Sequence, residues 1–246
     1  MATLVLVHGS WHGGWCWEEV AAALAADGNT VFAPDLPAHG GDRTPPGEVG
    51  LDTYTGFLGA LLTALDEPAV LVGHSFGGAV ISQAAEKFPG SVAGLVFVCA
   101  FLLRHGQSVW RHGVPRSGSP VLRPPHLLAD EDAGVLDLDR AVVRKAFYGG
   151  CPDRAAERAL ELWQPEPLGP LRTPLSLTGA RFGSLPKAYL QCRQDRVLPI
   201  EAQQRMCRLS PCDRVAGLDA GHSPFFSHPE ELAGHLHRLC SGYFGR

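Results

Sequence analysis

Residues 70–78 read Val-Leu-Val-Gly-His-Ser-Phe-Gly-Gly and join a short apolar run to a segment with helical spacing. A serine on a sharp strand-to-helix turn needs small residues two positions away on either side, because a Cβ atom there would clash with the crowded backbone. Gly73 and Gly77 meet this requirement around Ser75. The stretch therefore predicts a strand, a tight turn and a helix, with Ser75 on the turn as a candidate nucleophile.

Short apolar runs alternate with segments of helical spacing on both sides of this turn. Such alternation is typical of βα units that build a parallel sheet covered on both faces. The clearest helix follows Asp52, where apolar residues recur with helical period from Tyr54 to Leu65. We predict an α/β fold in which helices flank a mostly parallel sheet of six strands, at residues 3–7, 30–33, 70–72, 94–100, 188–192 and 214–218. Further helices are predicted at residues 18–27, 76–87, 201–209 and 229–243.

The alternation stops between about Leu103 and Pro174, a segment that holds nine of the 20 prolines. We predict no strand in this segment and two helices, after Asp139 and Asp153, whose side chains can cap a helix start. The βα pattern then resumes with two strands that cannot form a sheet alone. We therefore assign residues 1–102 and 175–246 to one core, and residues 103–174 to a helical cap inserted before the last two strands.

A nucleophilic serine needs a base, and an acid that orients the base, at the same edge of the sheet. His222 follows the last predicted strand, and Asp195 follows the strand before it. Asp213 precedes a strand and faces the opposite edge, whereas Asp219 is only three residues from His222 and would crowd it. We therefore predict Ser75 as nucleophile, Asp195 as acid and His222 as base.

A glycine-rich turn ends the first predicted strand, with the sequence His-Gly-Ser-Trp-His-Gly-Gly-Trp at residues 8–15. Exposed N–H groups in such a turn can stabilise a developing oxyanion. We predict that the N–H groups of Ser10 and Phe76 are the two donors. The turn does not fit a phosphate site, because the chain carries neither a GxGxxG nor a GK[ST] pattern there.

Composition argues against several other functions. The chain has 21 basic and 25 acidic residues, a net charge of -4, and no long basic run, so we expect neither a nucleic acid nor a membrane as partner. Seven cysteines without a CxxC pair favour neither a disulfide framework nor a zinc site, and we expect no metal or cofactor. The N-terminal residues lack the pattern of a secretory signal, which favours a cytoplasmic location.

Several motifs together resemble one branch of a known family. They are residues 4–15, Pro34-Asp35-Leu36, Gly73-His74-Ser75, residues 181–184 and Gln194-Asp195. The chain resembles the methyl-ketone and methyl-salicylate esterase and hydroxynitrile lyase branch of the α/β-hydrolases, over nearly its whole length and least within residues 103–174. The resemblance implies an α/β-hydrolase fold with a helical cap over a buried apolar pocket. It also implies a triad of Ser75, Asp195 and His222 and an oxyanion loop at Gly9 and Ser10.

Two departures from this branch bear on the reaction. The cyanohydrin-cleaving members carry a lysine directly after the catalytic histidine and a threonine in the oxyanion loop, and the matching positions here are Ser223 and Gly9. A serine hydroxyl cannot supply the charge that stabilises departing cyanide. The resemblance therefore implies an esterase rather than a cyanohydrin lyase.

We predict a metal-free serine esterase that acts on a small, largely apolar ester. Two alternatives stay open: the same triad can serve a lyase, cyclisation or retro-aldol step, or the protein can be a ligand receptor with slow hydrolysis. A homodimer is also left open. The predicted pocket residues, of which the aromatic ones fit core packing equally well, are Gly9, Trp11, His74, Phe101, Trp110, Phe147, Tyr148, Trp163 and Ser223.

Overall fold

A computed structural model describes residues 1–244, and within this range the chain forms nine strands and ten α-helices. The strands are β1 (Thr3–Val7), β2 (Thr30–Phe32), β3 (Ala69–His74), β4 (Val92–Val98), β5 (Leu127–Asp130), β6 (Val135–Leu138), β7 (Glu166–Pro167), β8 (Lys187–Cys192) and β9 (Arg214–Leu218). The helices are α1 (Glu18–Ala26), α2 (Leu51–Thr63), α3 (Gly77–Lys87), α4 (Val114–Ser117), α5 (Arg140–Phe147), α6 (Asp153–Glu161), α7 (Leu168–Arg172), α8 (Ile200–Leu209), α9 (Pro224–Ser227) and α10 (Pro229–Leu239).

Six of these strands form one sheet in the order β2-β1-β3-β4-β8-β9, and every neighbouring pair is parallel. The predicted α/β class and the six-stranded sheet are confirmed. The fourth strand ends two residues earlier than predicted, because Cys99 has a φ of 35°, outside the range of an extended strand. Since all six strands run the same way, the loops that follow them meet at one edge, where ligands bind in open α/β sheets.

The central strands β1, β3 and β4 are buried on both faces of the sheet, which explains why they are almost continuously apolar. Successive residues of β1 point to opposite sides. Leu4 and Leu6 pack in one cluster with residues of α1 and α10, and Val5 and Val7 pack in another with residues of α2 and α3. The central strands therefore have no polar face and hold the loops at their ends rigidly.

Most predicted helices form close to their expected positions. The helices α1, α3 and α8 agree with the prediction to within one residue at each end, and α10 ends at Leu239, where a π-helical turn follows. The predicted helices of the insertion are present as α5 and α6, and the Asp139 carboxylate caps α5 by accepting the Ala141 N–H at 3.0 Å. None of the helices in residues 1–244 is long and apolar enough to cross a membrane.

The prediction that the insertion has no strand is wrong. A second, antiparallel sheet forms there in the order β5-β6-β7. Between β5 and β6, Asp130 Oδ1 accepts the Ala133 N–H at 2.9 Å, and Gly134 adopts a φ of 67° that glycine tolerates best. The strand β5 has only four residues, is largely exposed and reads Leu-Leu-Ala-Asp without the alternation of a half-buried strand, so the sequence signal for this hairpin lies in its turn.

Candidate active site

The turn between β3 and α3 is strained and leaves no room for side chains beside Ser75. Ser75 has a φ of 51°, a left-handed conformation that is unusual for a non-glycine residue. A Cβ atom on Gly73 would lie 2.6 Å from the Gly77 carbonyl oxygen, and one on Gly77 would lie 2.7 Å from that of His8. The backbone carbonyl oxygen of Ser75 accepts the Phe101 N–H at 2.9 Å, and this hydrogen bond connects the turn to the loop after β4. The two glycines are therefore required by backbone contact, as their spacing predicts.

His222, from the loop after β9, lies between Asp195 and Ser75. Its Nδ1 is 2.8 Å from Asp195 Oδ2 and its Nε2 is 3.1 Å from Ser75 Oγ. The side chains of Asp195 and His222 are fully buried, and Ser75 is 6% exposed. Because an ionised carboxylate only accepts hydrogen bonds, the imidazole proton belongs on Nδ1 and Nε2 can accept the serine proton. The structure thus brings together the three residues predicted to act together.

Asp195 is held in a single orientation by the loop after β8. Its Oδ1 accepts the backbone N–H groups of Val197 and Leu198 at 2.7 and 2.8 Å, which leaves Oδ2 for His222. The competing carboxylate of Asp219 is 73% exposed and pairs with Arg193. Asp195 is therefore the carboxylate that contacts the imidazole of His222, whereas the exposed Asp219 pairs with Arg193.

Two buried side chains anchor the backbone of His222 from behind. His74 Nε2–H donates to the His222 carbonyl oxygen at 2.8 Å, and the Cys99 thiol donates to the same oxygen at 3.6 Å. Potential metal-ligand atoms of His74, Cys99 and His222 lie within 4.8 Å of one another, the one such group in the part of the chain that the structure describes. Both ring nitrogens of His222 already have partners in Asp195 and Ser75, so we assign this group to anchoring.

The loop after β1 carries the predicted oxyanion donors. Among the described residues, the backbone N–H groups of Ser10 and Phe76 have no hydrogen-bond acceptor. The loop itself is fixed: His8 Nδ1 is 2.9 Å from the Gly9 carbonyl oxygen, and His12 Nδ1 is 2.8 Å from that of Ser10. A Cβ atom on Gly9 would lie 2.8 Å from Ser75 Cβ, so the loop approaches the serine as closely as a backbone can.

Burial favours the neutral form of three histidines in and behind this loop. Burial lowers the pKa of His12 from its ordinary value of 6.5 to about 4, and lowers the pKa of His8 and His74 well below that value. Neutral His12 donates from Nδ1 to Ser10 and accepts the Tyr148 hydroxyl at Nε2, 3.0 Å away. The loop is therefore fixed without placing a positive charge beside His222.

A narrow cavity with a volume of about 20 Å³ lies against Ser75 and Ser10. No charged side chain lines it, which favours a neutral, apolar ligand. Residues 103–174 supply seven of the twelve lining residues. Besides the two serines, the lining consists of Trp11, Phe101, Val109, Trp110, Val114, Leu122, Leu127, Leu136, Leu171 and Val197.

Three of the predicted pocket residues, Trp11, Phe101 and Trp110, line this cavity. The Phe147 ring instead meets the His222 ring edge-on at 5.1 Å, and the Trp163 indole N–H donates to Asp137 at 2.7 Å. The predicted residues that are not among the lining residues are Gly9, His74, Phe147, Tyr148, Trp163 and Ser223. Sequence reasoning missed the aliphatic lining because these residues lie on several short elements and share no common period.

Comparisons with known proteins identify the family to which this fold belongs. The sequence model of the alpha/beta hydrolase family matches residues 4–235 of this chain. Putative methylesterase 11, chloroplastic, of Arabidopsis thaliana is 33% identical over 238 residues, which cover 93% of this chain. The chain spans only 61% of the length of that protein.

Two further relatives match over most of both chains. The pyrethroid hydrolase of Sphingobium wenxiniae is 34% identical over 239 residues, which cover 94% of this chain and 84% of that protein. The crystal structure of tomato methylketone synthase I complexed with 2-tridecanone superposes with a TM-score of 0.89 at 25% identity and covers 98% of each chain. With the match to the family model and the parallel sheet described above, these similarities show that the chain belongs to the alpha/beta hydrolase family.

Proposed function

We propose that the protein is a serine hydrolase that cleaves small, largely apolar carboxylic esters by way of an acyl-enzyme. The observation that carries this proposal is the chain of hydrogen bonds from Asp195 through His222 to a serine that is held in a strained turn and faces an apolar cavity. Relatives named methylesterase and pyrethroid hydrolase support the same reaction class.

In the first half of the reaction, Ser75 Oγ attacks the ester carbonyl carbon while His222 Nε2 takes the serine proton. Asp195 stabilises the imidazolium that forms and keeps its orientation. The carbonyl oxygen gains a negative charge, and the unpaired N–H groups of Ser10 and Phe76 are the donors that bind it. Each such donor contributes roughly 3 kcal/mol to the stability of the transition state.

In the second half, His222 returns the proton to the leaving alkoxide, the alcohol departs, and the acyl group remains on Ser75. Water then attacks the acyl carbon as His222 accepts one of its protons, and the proton passes to Ser75 Oγ as the acid is released. The three side chains suffice for this cycle without a cofactor.

We propose that residues 103–174 form a cap that selects the substrate. This segment supplies most of the cavity wall, including Trp110, Leu127 and Leu171, and contributes no charge to it. Because an unpaired charge is costly to bury in such a wall, neutral esters should bind and esters with a charged acyl group should be rejected.

The test is covalent labelling combined with turnover. A serine-directed phosphonate or sulfonyl fluoride should label Ser75 stoichiometrically, as located by peptide mass mapping. A panel of acyl and alkyl esters should be hydrolysed by the wild type, and Ser75→Ala and His222→Ala should each lower kcat by at least roughly 10³-fold. The double variant should be hardly worse, because the residues act as a unit. Label on another serine, or an unchanged rate in Ser75→Ala, would refute the assignment.

The similarity to tomato methylketone synthase I, a variant of which has been crystallised with β-ketoheptanoate, favours one second candidate, in which the same residues act on a β-keto compound rather than an ester. Linear release of acid over many enzyme equivalents on the best ester supports hydrolysis. A single-equivalent burst with almost no further product, accompanied by a ligand-induced change in protease sensitivity within residues 103–174, would instead identify a receptor. Product from a β-keto acid without any ester turnover would identify the non-hydrolytic reaction.

A further inference from the structure

A buried carboxylate in residues 103–174 takes no part in the reaction proposed above. Glu166, His39 and Tyr54 are each fully buried. Glu166 Oε2 is 3.0 Å from His39 Nε2 and accepts the Trp11 backbone N–H at 3.2 Å, and Oε1 accepts the Tyr54 hydroxyl at 3.4 Å. Burying a carboxylate costs free energy unless it is paired and hydrogen-bonded. The hydrogen bonds from His39, Trp11 and Tyr54 therefore offset the cost of burying Glu166.

The contact between Glu166 and His39 favours the protonated imidazole. Burial by itself would lower the pKa of His39, but the charge and hydrogen bond of Glu166, together with the Pro37 carbonyl and the charge of Asp35, outweigh burial and raise that pKa. Protonated His39 donates from Nε2 to Glu166 and from Nδ1 to the Pro37 carbonyl oxygen, 3.2 Å away. Glu166 therefore has a counter-charge from the core of the protein, and its second hydrogen bond through Oε2 goes to Trp11.

Trp11 is tied to residues 103–174 at three points. Its N–H donates to Glu166, its carbonyl oxygen accepts the Gln164 N–H at 3.3 Å, and its indole N–H donates to the Leu136 carbonyl oxygen at 2.9 Å. Trp11 has a φ of 65°, which a bulky residue adopts only when its surroundings impose it. These three bonds supply that constraint.

The constraint on Trp11 reaches the neighbouring oxyanion donor. The Trp11 N–H and the Ser10 carbonyl belong to one peptide unit, and the carbonyl is held by His12 Nδ1 at 2.8 Å. Both ends of this planar unit are therefore fixed, one by Glu166 and the other by His12. The Ser10 N–H lies in the preceding peptide unit, whose Gly9 carbonyl oxygen is 2.9 Å from His8 Nδ1. The backbone bonds of Ser10 join these two held units, so loss of the Glu166 bond permits rotation at Ser10 that the intact network prevents.

We infer that Glu166 is a positioning residue, which acts through Trp11 to aim the Ser10 N–H at the oxyanion. The inference rests on the proposed function and adds that turnover requires residues 103–174 to be docked on the oxyanion loop. Glu166 should then affect stabilisation of the transition state more than binding of the substrate, because the apolar cavity wall does not include it.

Substitutions at Glu166 test separately the length of its side chain and its charge. Glu166→Gln keeps the length and an oxygen that can accept the Trp11 N–H. Glu166→Asp keeps the charge but is too short to accept that N–H. With p-nitrophenyl butyrate as substrate, Glu166→Asp and Glu166→Ala should lower kcat at least about 10-fold with KM within about 3-fold, and Glu166→Gln should stay within about 3-fold of wild type. Amide hydrogen exchange at Trp11 should remain slow in wild type and Glu166→Gln, and become fast in the other two.

Tyr54→Phe is the matched control, because it removes a hydrogen bond to Oε1 and leaves the Trp11 bond to Oε2 intact. It should lower the melting temperature without changing kcat. Full kcat in Glu166→Asp, or equal losses of kcat in Tyr54→Phe and Glu166→Ala, would overturn the inference. If Glu166→Ala does not fold, the Gln and Asp pair decides. If the wild type shows no Ser75-dependent hydrolysis, the proposed function fails, and the exchange rate at Trp11 still decides the role of Glu166.

Discussion

Replacing Asp195 by asparagine should disable the base without disturbing the fold, and the surroundings of the carboxylate predict how. Oδ1 accepts the N–H groups of Val197 and Leu198, so the amide oxygen of an asparagine must take that position. The amide NH2 then faces His222 Nδ1 and donates to it, which moves the imidazole proton to Nε2. An Nε2 that carries a proton cannot accept the one on Ser75.

The size of the loss of kcat in Asp195→Asn follows from the cost of the opposite orientation of the asparagine amide. Turning the amide around would restore the imidazole tautomer but leave two buried backbone N–H groups facing an NH2, at about 1–3 kcal/mol for each. The active orientation is therefore disfavoured by about 2–6 kcal/mol, a factor of roughly 30 to 2 × 10⁴ in kcat. Because the hydrogen bonds to Val197 and Leu198 persist, the melting temperature should change little.

The assay is kcat on the best ester of the panel, together with the rate of phosphonate labelling, which should fall by a similar factor because both reactions use the same serine proton transfer. Asp219→Asn is the control, since that exposed carboxylate pairs with Arg193 and should be neutral for activity. If Asp195→Asn retains kcat within ten-fold of wild type while Asp219→Asn loses activity, the reasoning about the acid is refuted.

Three other predictions follow from the loop after β1 and its neighbours. Gly9→Ala should lower kcat more than about 10-fold, because its Cβ would meet Ser75 Cβ at 2.8 Å; Gly56→Ala, with open space around it, is the control, and equal kcat in both variants would contradict the crowding. His12 binds its proton more readily when unfolded, so its contribution to stability is complete above pH 6.5 and is lost as the pH falls toward 4. Between pH 8 and 5 the free energy of unfolding measured with urea should therefore fall by about 2 kcal/mol more in wild type than in His12→Asn, and parallel pH curves would count against a neutral His12. Mandelonitrile-type cyanohydrins should release no cyanide, because buried Ser223 stands where the related lyases have lysine; Ser75-dependent cyanide release at the rate of ester turnover would contradict this.

The sheet and the reacting side chains could be predicted because local sequence determines them. A buried parallel strand needs a continuous apolar run, and a serine in a strand-to-helix turn needs glycines whose absence of Cβ is visible in the sequence. Ser75, Asp195 and His222 each follow a parallel strand of the same sheet, so the common direction of the strands was enough to bring them to one edge.

The cavity wall and the Glu166 network could not be predicted in the same way. Trp11 and Glu166 are 155 residues apart, and only the folded chain shows that they are hydrogen-bonded. Phe147 and Trp163 were predicted to line the pocket because they are aromatic. The Phe147 ring instead packs against His222 and the Trp163 ring against Trp11, where their buried surface stabilises the site. The hairpin of β5 and β6 was missed because its exposed strand is only four residues long and shows no alternation of apolar and polar residues.

The two sides of the cavity are built differently, and this difference determines where the enzyme can be redesigned. The side that carries the nucleophile is built from close backbone contacts at Gly9, Gly73 and Gly77, so diversity introduced there should yield inactive clones. The opposite side is built from aliphatic side chains such as Leu127 and Leu171, which make no part of those contacts. A saturation library confined to that wall should therefore shift chain-length preference while keeping the reaction of Ser75 with phosphonates, so directed evolution can address a small set of positions that is separate from the catalytic side chains.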